Sequence, residues 1–136
     1  AEALKLDLNE PIPLKLQYDI VINTGTVEHV FDQRTLFQSI HDRTKPGGLM
    51  LHIVPWINWR NHAFYNFHPS LFRDLCEANN YELLRAYAGD RNGNITHEEI
   101  NFEEDKAPQP TNVNISFVCL MRKTNNEQFI NPTQRK

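Results

Sequence analysis

Glu28 and His29 stand side by side in the segment Gly25-Thr26-Val27-Glu28-His29-Val30. An imidazole titrates near neutral pH, and a neighbouring carboxylate can orient it. The pair can therefore act as a general base, as two ligands of a metal, or as a hydrogen-bonded structural pair. A second concentration of chemistry lies in Pro55-Trp56-Ile57-Asn58-Trp59-Arg60-Asn61-His62-Ala63-Phe64-Tyr65. Trp56, Trp59 and Tyr65 offer aromatic walls, and Arg60 and His62 offer polar groups, a mixture that suits a small-molecule pocket. The same aromatics could instead fill a satellite core. His41, His52 and His97 have no partner in the sequence, and His68 precedes a helix-starting proline. No two histidines pair at i, i+4 on an expected helix, which argues against a histidine-rich metal hydrolase. Cys76 and Cys119 stand singly, without metal-ligand spacing, and are expected to be small core hydrophobes in a reducing, cytoplasmic setting.

The elements that must position these groups alternate. Residues 18–23, Tyr-Asp-Ile-Val-Ile-Asn, form a β-branched run apolar on both faces, as in a parallel strand covered on both sides. Asn23-Thr24-Gly25-Thr26 follow its carboxyl end, where ligands bind in open α/β sheets. A helix is expected over 33–43, with Asp32 as its N-cap and Leu36 and Ile40 on the inner face. Lys45-Pro46-Gly47-Gly48 ends it, 49–54 is the next strand, and Pro55 closes that strand. Pro69 opens a second helix over 69–78, and Asn79-Asn80 ends it in a left-handed conformation. Strands are expected over 81–88 and 114–121. Alternation at Leu4, Leu6 and Leu8 suggests one more at the start. Residues 90–112 form a long polar excursion, and 122–136 a polar, frayed tail with Phe129 and Ile130 as docking points.

With 136 residues and a formal net charge of −3, the chain suits one domain and carries no basic patch for nucleic acid. No apolar run approaches the roughly 20 residues that span a bilayer. No signal-peptide layout and no initiator Met are present, so a processed product or a fragment is expected.

Three matches carry a family resemblance. Tyr18-Asp19-Ile20-Val21-Ile22-Asn23 with Val27-Glu28-His29-Val30 is similar to a fourth strand and its Leu-Glu-His-Val turn. Lys45-Pro46-Gly47-Gly48-Leu49-Met50-Leu51 is similar to a Lys-Pro-Gly-Gly approach to strand five. His62 through Phe67-His68-Pro69, with Leu71 and Phe72, is similar to a His…Phe-Ser-Pro-x-x-Leu helix start. Together they resemble the second half of class I S-adenosylmethionine-dependent methyltransferases of the methyltransferase-11-like type.

The resemblance implies a partial Rossmann-like α/β sheet, covering strands three to seven of an order 3-2-1-4-5-7-6. That sheet would be mostly parallel with one antiparallel strand, and would occupy residues 1–121. It implies that Asp7 and Leu8 meet the adenine and that Asn23, Thr24, Gly25 and Thr26 line the methionine side of the cofactor. His62 becomes the leading candidate for a base that deprotonates an acceptor hydroxyl, with His29 second. Trp56, Trp59, Arg60 and Tyr65 would line the small-molecule acceptor. Some relatives hold a divalent ion on Glu-x-x-Glu-His; Gly25 occupies the first acidic position here, so no metal is expected. The family grips its cofactor with a glycine-rich loop after strand one and an acidic residue ending strand two, and the chain has neither. S-adenosylmethionine is thus expected in an intact parent, and little or no binding by this chain alone. A strand edge left open by the missing strands is expected to pair with a second copy. The alternative is a non-catalytic module that dimerises or scaffolds.

Overall fold

The computed structural model describes residues 2–13, 15–102 and 112–135. In chain order, β1 (Tyr18–Thr24), a single 3-10 turn (Val27–His29), α1 (Gln33–Arg43), β2 (Thr44–Ile57) and α2 (Pro69–Asn79) are followed by β3 (Glu82–Asp90), β4 (Ile95–His97) and β5 (Ile115–Arg122). The strands form one sheet in the order β1-β2-β5-β3-β4.

This corrects the expected mostly parallel, Rossmann-like α/β sheet. Only the β1–β2 ladder is parallel, while β2–β5, β5–β3 and β3–β4 are all antiparallel. Two differences cause this: the strand expected at residues 4–8 does not form, and β4 adds an antiparallel hairpin ladder to those that β5 makes with β2 and β3, so that β1 and β2, joined by the α1 crossover, are left as the parallel pair. The start of the chain differs as well. Residues 4–8 form no strand; Asp7 and Leu8 lead into a turn closed by the Glu10 amide on the Asp7 carbonyl (3.1 Å).

The helices form where local chemistry dictates. Asp32 caps α1 by accepting from the Thr35 amide at 2.9 Å, satisfying one of the free donors of the first turn. At the other end, the buried Lys123 ammonium donates to the carbonyls of His41 (2.7 Å) and Thr44 (2.9 Å). A cation there meets the negative end of the helix dipole. α2 starts at Pro69 and exits through Asn80 at φ 53°. Lys45-Pro46-Gly47-Gly48 does not precede β2 but lies within it as an irregularity. The register jumps from Tyr18↔Thr44 to Ile20↔Leu49, and Gly47 takes φ 81°.

Both helices pack on one sheet face. Phe37 and Ile40 of α1 and Phe72 and Leu75 of α2 meet Met50 and Val54 of β2 and Phe117 and Met121 of β5. Phe129 joins this core from the end of the chain, where the Ile130 amide and carbonyl are held by the Asn79 side chain at 2.8 and 2.9 Å. The stretch expected to fray is therefore docked. Side chains of β1 that alternate to the other face are left open, with Ile20 56% and Ile22 61% exposed. Among the described residues, no helix is long and apolar enough to cross a membrane. Of the excursion expected over 90–112, residues 103–111 lie outside the described residues. Its first part is a hairpin whose tip is tied by Asp90 to the Asn92 and Asn94 amides (2.9 Å each).

Candidate functional site

Two segments leave the sheet on the same side, because β1 and β2 are parallel neighbours. The 3-10 turn after β1 carries Glu28 and His29, and the loop after β2 carries His62. Backbone bonds join them: the Glu28 carbonyl accepts from the amides of Phe64 (3.0 Å) and Tyr65 (3.3 Å). As a result, Glu28, His29 and His62 each place a ligand-type atom within 4.8 Å of the others. His62 Nε2 lies 3.6 Å from Glu28 Oε1, and the rings of His29 and His62 meet edge-on at 5.0 Å. Glu28 is buried, whereas His29 and His62 are exposed.

The loop that carries His62 is held in an unusual backbone conformation. Asn58, Trp59 and Asn61 have φ of 63°, 46° and 54°. Asparagine tolerates this region, but an indole-bearing residue does so only at a cost of about 1–3 kcal/mol, which the surroundings must offset. Hydrogen bonds to the start of β5 do so. The Asn58 side-chain amide donates to the Val113 carbonyl (2.7 Å), the Trp59 amide to Asn114 Oδ1 (3.1 Å), and the Trp59 indole to the Ile115 carbonyl (3.0 Å). The Trp59 ring then packs on His62 at 4.8 Å between centroids, and the Arg91 guanidinium lies over the Trp59 ring, 5.7 Å from its centroid.

The residues singled out from sequence divide into three groups. His29, His62 and Trp59 come together. Tyr65 is part of the same loop, but its hydroxyl is engaged by the Phe31 carbonyl at 3.0 Å. Trp56 is half-buried against Phe117 and His97, and Arg60 is exposed. Asn23 is buried and fully used: its amide donates to His52 Nδ1 at 2.9 Å and its oxygen accepts from the Val27 amide at 3.2 Å. It shapes the turn rather than facing a ligand. Thr24, Gly25 and Thr26 are exposed at the strand end, with Gly25 at φ 65°. Asp7 spends its carboxylate on the Asn9 amide (2.9 Å), which holds it below the usual carboxylate range. Asn9 in turn accepts from the Asp32 amide (2.9 Å), so the Asp7–Leu8 turn is tethered near the start of α1. His68 is a helix-start residue, its Nδ1 3.0 Å from the Ser70 hydroxyl.

The encounter of Glu28 with His62 could not be seen in the sequence, because nothing local links the two segments. The one available signal was the pair of asparagines flanking Trp59, which tolerate left-handed backbone. Compared with known proteins, the chain matches no family model and no curated protein.

Proposed function

We propose that this chain is a fragment or truncated form of an S-adenosylmethionine-dependent methyltransferase that acts on a small molecule. The observation that carries the reading is the meeting of Glu28, His29 and His62 beyond the carboxyl ends of two adjacent parallel strands, the place where open sheets bind ligands. The strand order β1-β2-β5-β3 supports it, since it agrees with strands four, five, seven and six of the order that the resemblance implies. In this reading Thr24–Thr26 face the methionine side of the cofactor. His62, with the Glu28 carboxylate behind it, accepts a proton from an acceptor hydroxyl beside Trp59. The main contribution to rate is alignment of nucleophile and methyl group. S-adenosylmethionine is the cofactor of the intact parent; this chain alone binds it weakly. The two separate, buried thiols fit a reducing compartment, and we place the protein in the cytoplasm.

Titration of the isotope-labelled chain with S-adenosylhomocysteine tests this. Amide shifts should appear at millimolar ligand and cluster on 24–26 and 7–8. Shifts scattered over the molecule, or none at saturation, would overturn it.

A second reading has its own observation. β1 is the outer strand of the sheet and exposes Tyr18, Ile20 and Ile22. Unpaired, apolar edges recruit partners. A non-catalytic module that dimerises through this edge uses that feature directly.

A further inference from the structure

The Glu28 carboxylate is one of three side chains among the described residues, with Gln33 and Arg43, that bury a polar atom without a hydrogen-bond partner. Its side chain is 2% exposed, and its Oε2 atom has no hydrogen-bond partner. Leaving a buried acceptor unpaired is costly, and more so when it is charged. Its nearest candidate partner, His62 Nε2, stands 3.6 Å from the other oxygen, too far for a good hydrogen bond. Two imidazoles and this carboxylate nonetheless point at one small volume. The backbone keeps them there, through the two amides on the Glu28 carbonyl and the left-handed Asn58, Trp59 and Asn61.

We propose that Glu28, His29 and His62 form a binding site for a divalent first-row transition-metal ion. The ion would supply the missing partner of Glu28 Oε2. Mixed imidazole and carboxylate donors suit zinc, cobalt, nickel or iron(II); magnesium and calcium favour all-oxygen sets. Metal–ligand bonds of about 2.0–2.1 Å require donors about 3–3.5 Å apart. The present spread of up to 4.8 Å is wider than that, and the two exposed imidazoles are the groups that would have to rotate inward to close it. Three protein ligands leave coordination positions open to water or to an oxygen of a bound molecule, the arrangement of reactive sites and not of structural ones. The Glu-x-x-Glu-His pattern does not supply this set: Gly25 breaks the pattern, and the third ligand comes from the distant loop. The ion site stands on this geometry and does not need the methyl-transfer reading; with an ion bound, His62 is a ligand and the base role proposed for it falls away.

The test uses cobalt(II) and zinc(II) alone with the full chain. One equivalent of cobalt should bind with micromolar affinity and give a visible absorption band, and zinc should displace it. His62→Ala and His29→Ala should each weaken binding at least about tenfold, while His97→Ala and His68→Ala leave it unchanged. Both site variants alter exposed side chains, so circular dichroism should show an intact fold; Glu28→Gln, at a buried position, serves as a further variant if it folds. Absence of binding at 1:1 up to millimolar metal overturns the proposal, as does binding that His62→Ala and His29→Ala leave intact. Neither result depends on how the chain responds to S-adenosylhomocysteine.

Discussion

At the scale of single residues, histidines in one small protein are set to different tasks by burial alone. His52 lies between the rings of Phe37 and Phe72, fully enclosed. Desolvation pushes its pKa down from 6.5 to about 4, so it is neutral in the native state, and the Asn23 amide donates to its Nδ1. His41 is likewise depressed by burial, with its Nδ1 2.6 Å from the Tyr81 hydroxyl and its Nε2 2.7 Å from the Glu127 carbonyl. The unfolded chain protonates these histidines near pH 6.5 and the folded chain does not. Stability is therefore fully present above pH 6.5 and is lost as pH falls from 6.5 towards about 4. For His52 alone the loss amounts to about 3 kcal/mol. Urea midpoints measured across that range should fall steadily, and His52→Phe should flatten the slope even if it lowers stability at neutral pH by orphaning the Asn23 amide. A midpoint insensitive to pH in wild type would show that His52 is not enclosed.

At the scale of elements, much was legible in the sequence. The Asp32 cap and the Leu36/Ile40 spacing located α1, and Pro69 and Asn80 located α2, because caps and breakers act within a turn of the chain. The centres of β1, β2, β3 and β5 were also expected, β1 as a β-branched run, whereas β4 was read as part of the polar excursion. Strand ends were not legible. β2 runs through Pro46-Gly47-Gly48 and past Pro55 because its neighbours supply ladder bonds on either side of the irregularities. Alternating leucines at 4–8 suggested a strand, yet the turn made by Asp7 and Asn9 competes successfully with it. The mostly parallel sheet failed for the same reason: without a strand at residues 4–8, and with β4 added as an antiparallel hairpin, β1–β2 is the one parallel ladder among the described residues. β1 remains the element with an unmet requirement, since its run of Ile20-Val21-Ile22 is apolar on both faces and is covered on one. We expect the chain to self-associate through this strand in sedimentation experiments, and Ile20→Lys with Ile22→Lys to return it to monomer without loss of helical signal. A wild-type monomer at high micromolar concentration would remove the dimerising reading.

At the scale of the whole molecule, the architecture separates a well-packed face from the end that carries the candidate site. Aromatic contacts from Phe37 through Phe72 to Phe117 fix the helices on the sheet, at centroid distances of 6.1 and 5.2 Å. That rigidity fixes where the carboxyl ends of β1 and β2 emerge. The candidate site depends on this placement, for its members come from separate parts of the chain and share no local motif. This is also why only half of the site was legible. Glu28 and His29 announce themselves as neighbours, while His62 joins them only once the sheet has formed and the Trp59 loop is bolted to β5. The proposed acceptor site and the proposed ion site alike rest on that meeting. Nuclear Overhauser measurements on the histidine-labelled chain test it most directly. Rings whose centroids lie 5.0 Å apart, edge to face, should give a cross-peak between the ring protons of His29 and His62, and Trp59→Gly should weaken it by freeing the loop. A spectrum in which both rings are assigned and show no contact would contradict the account.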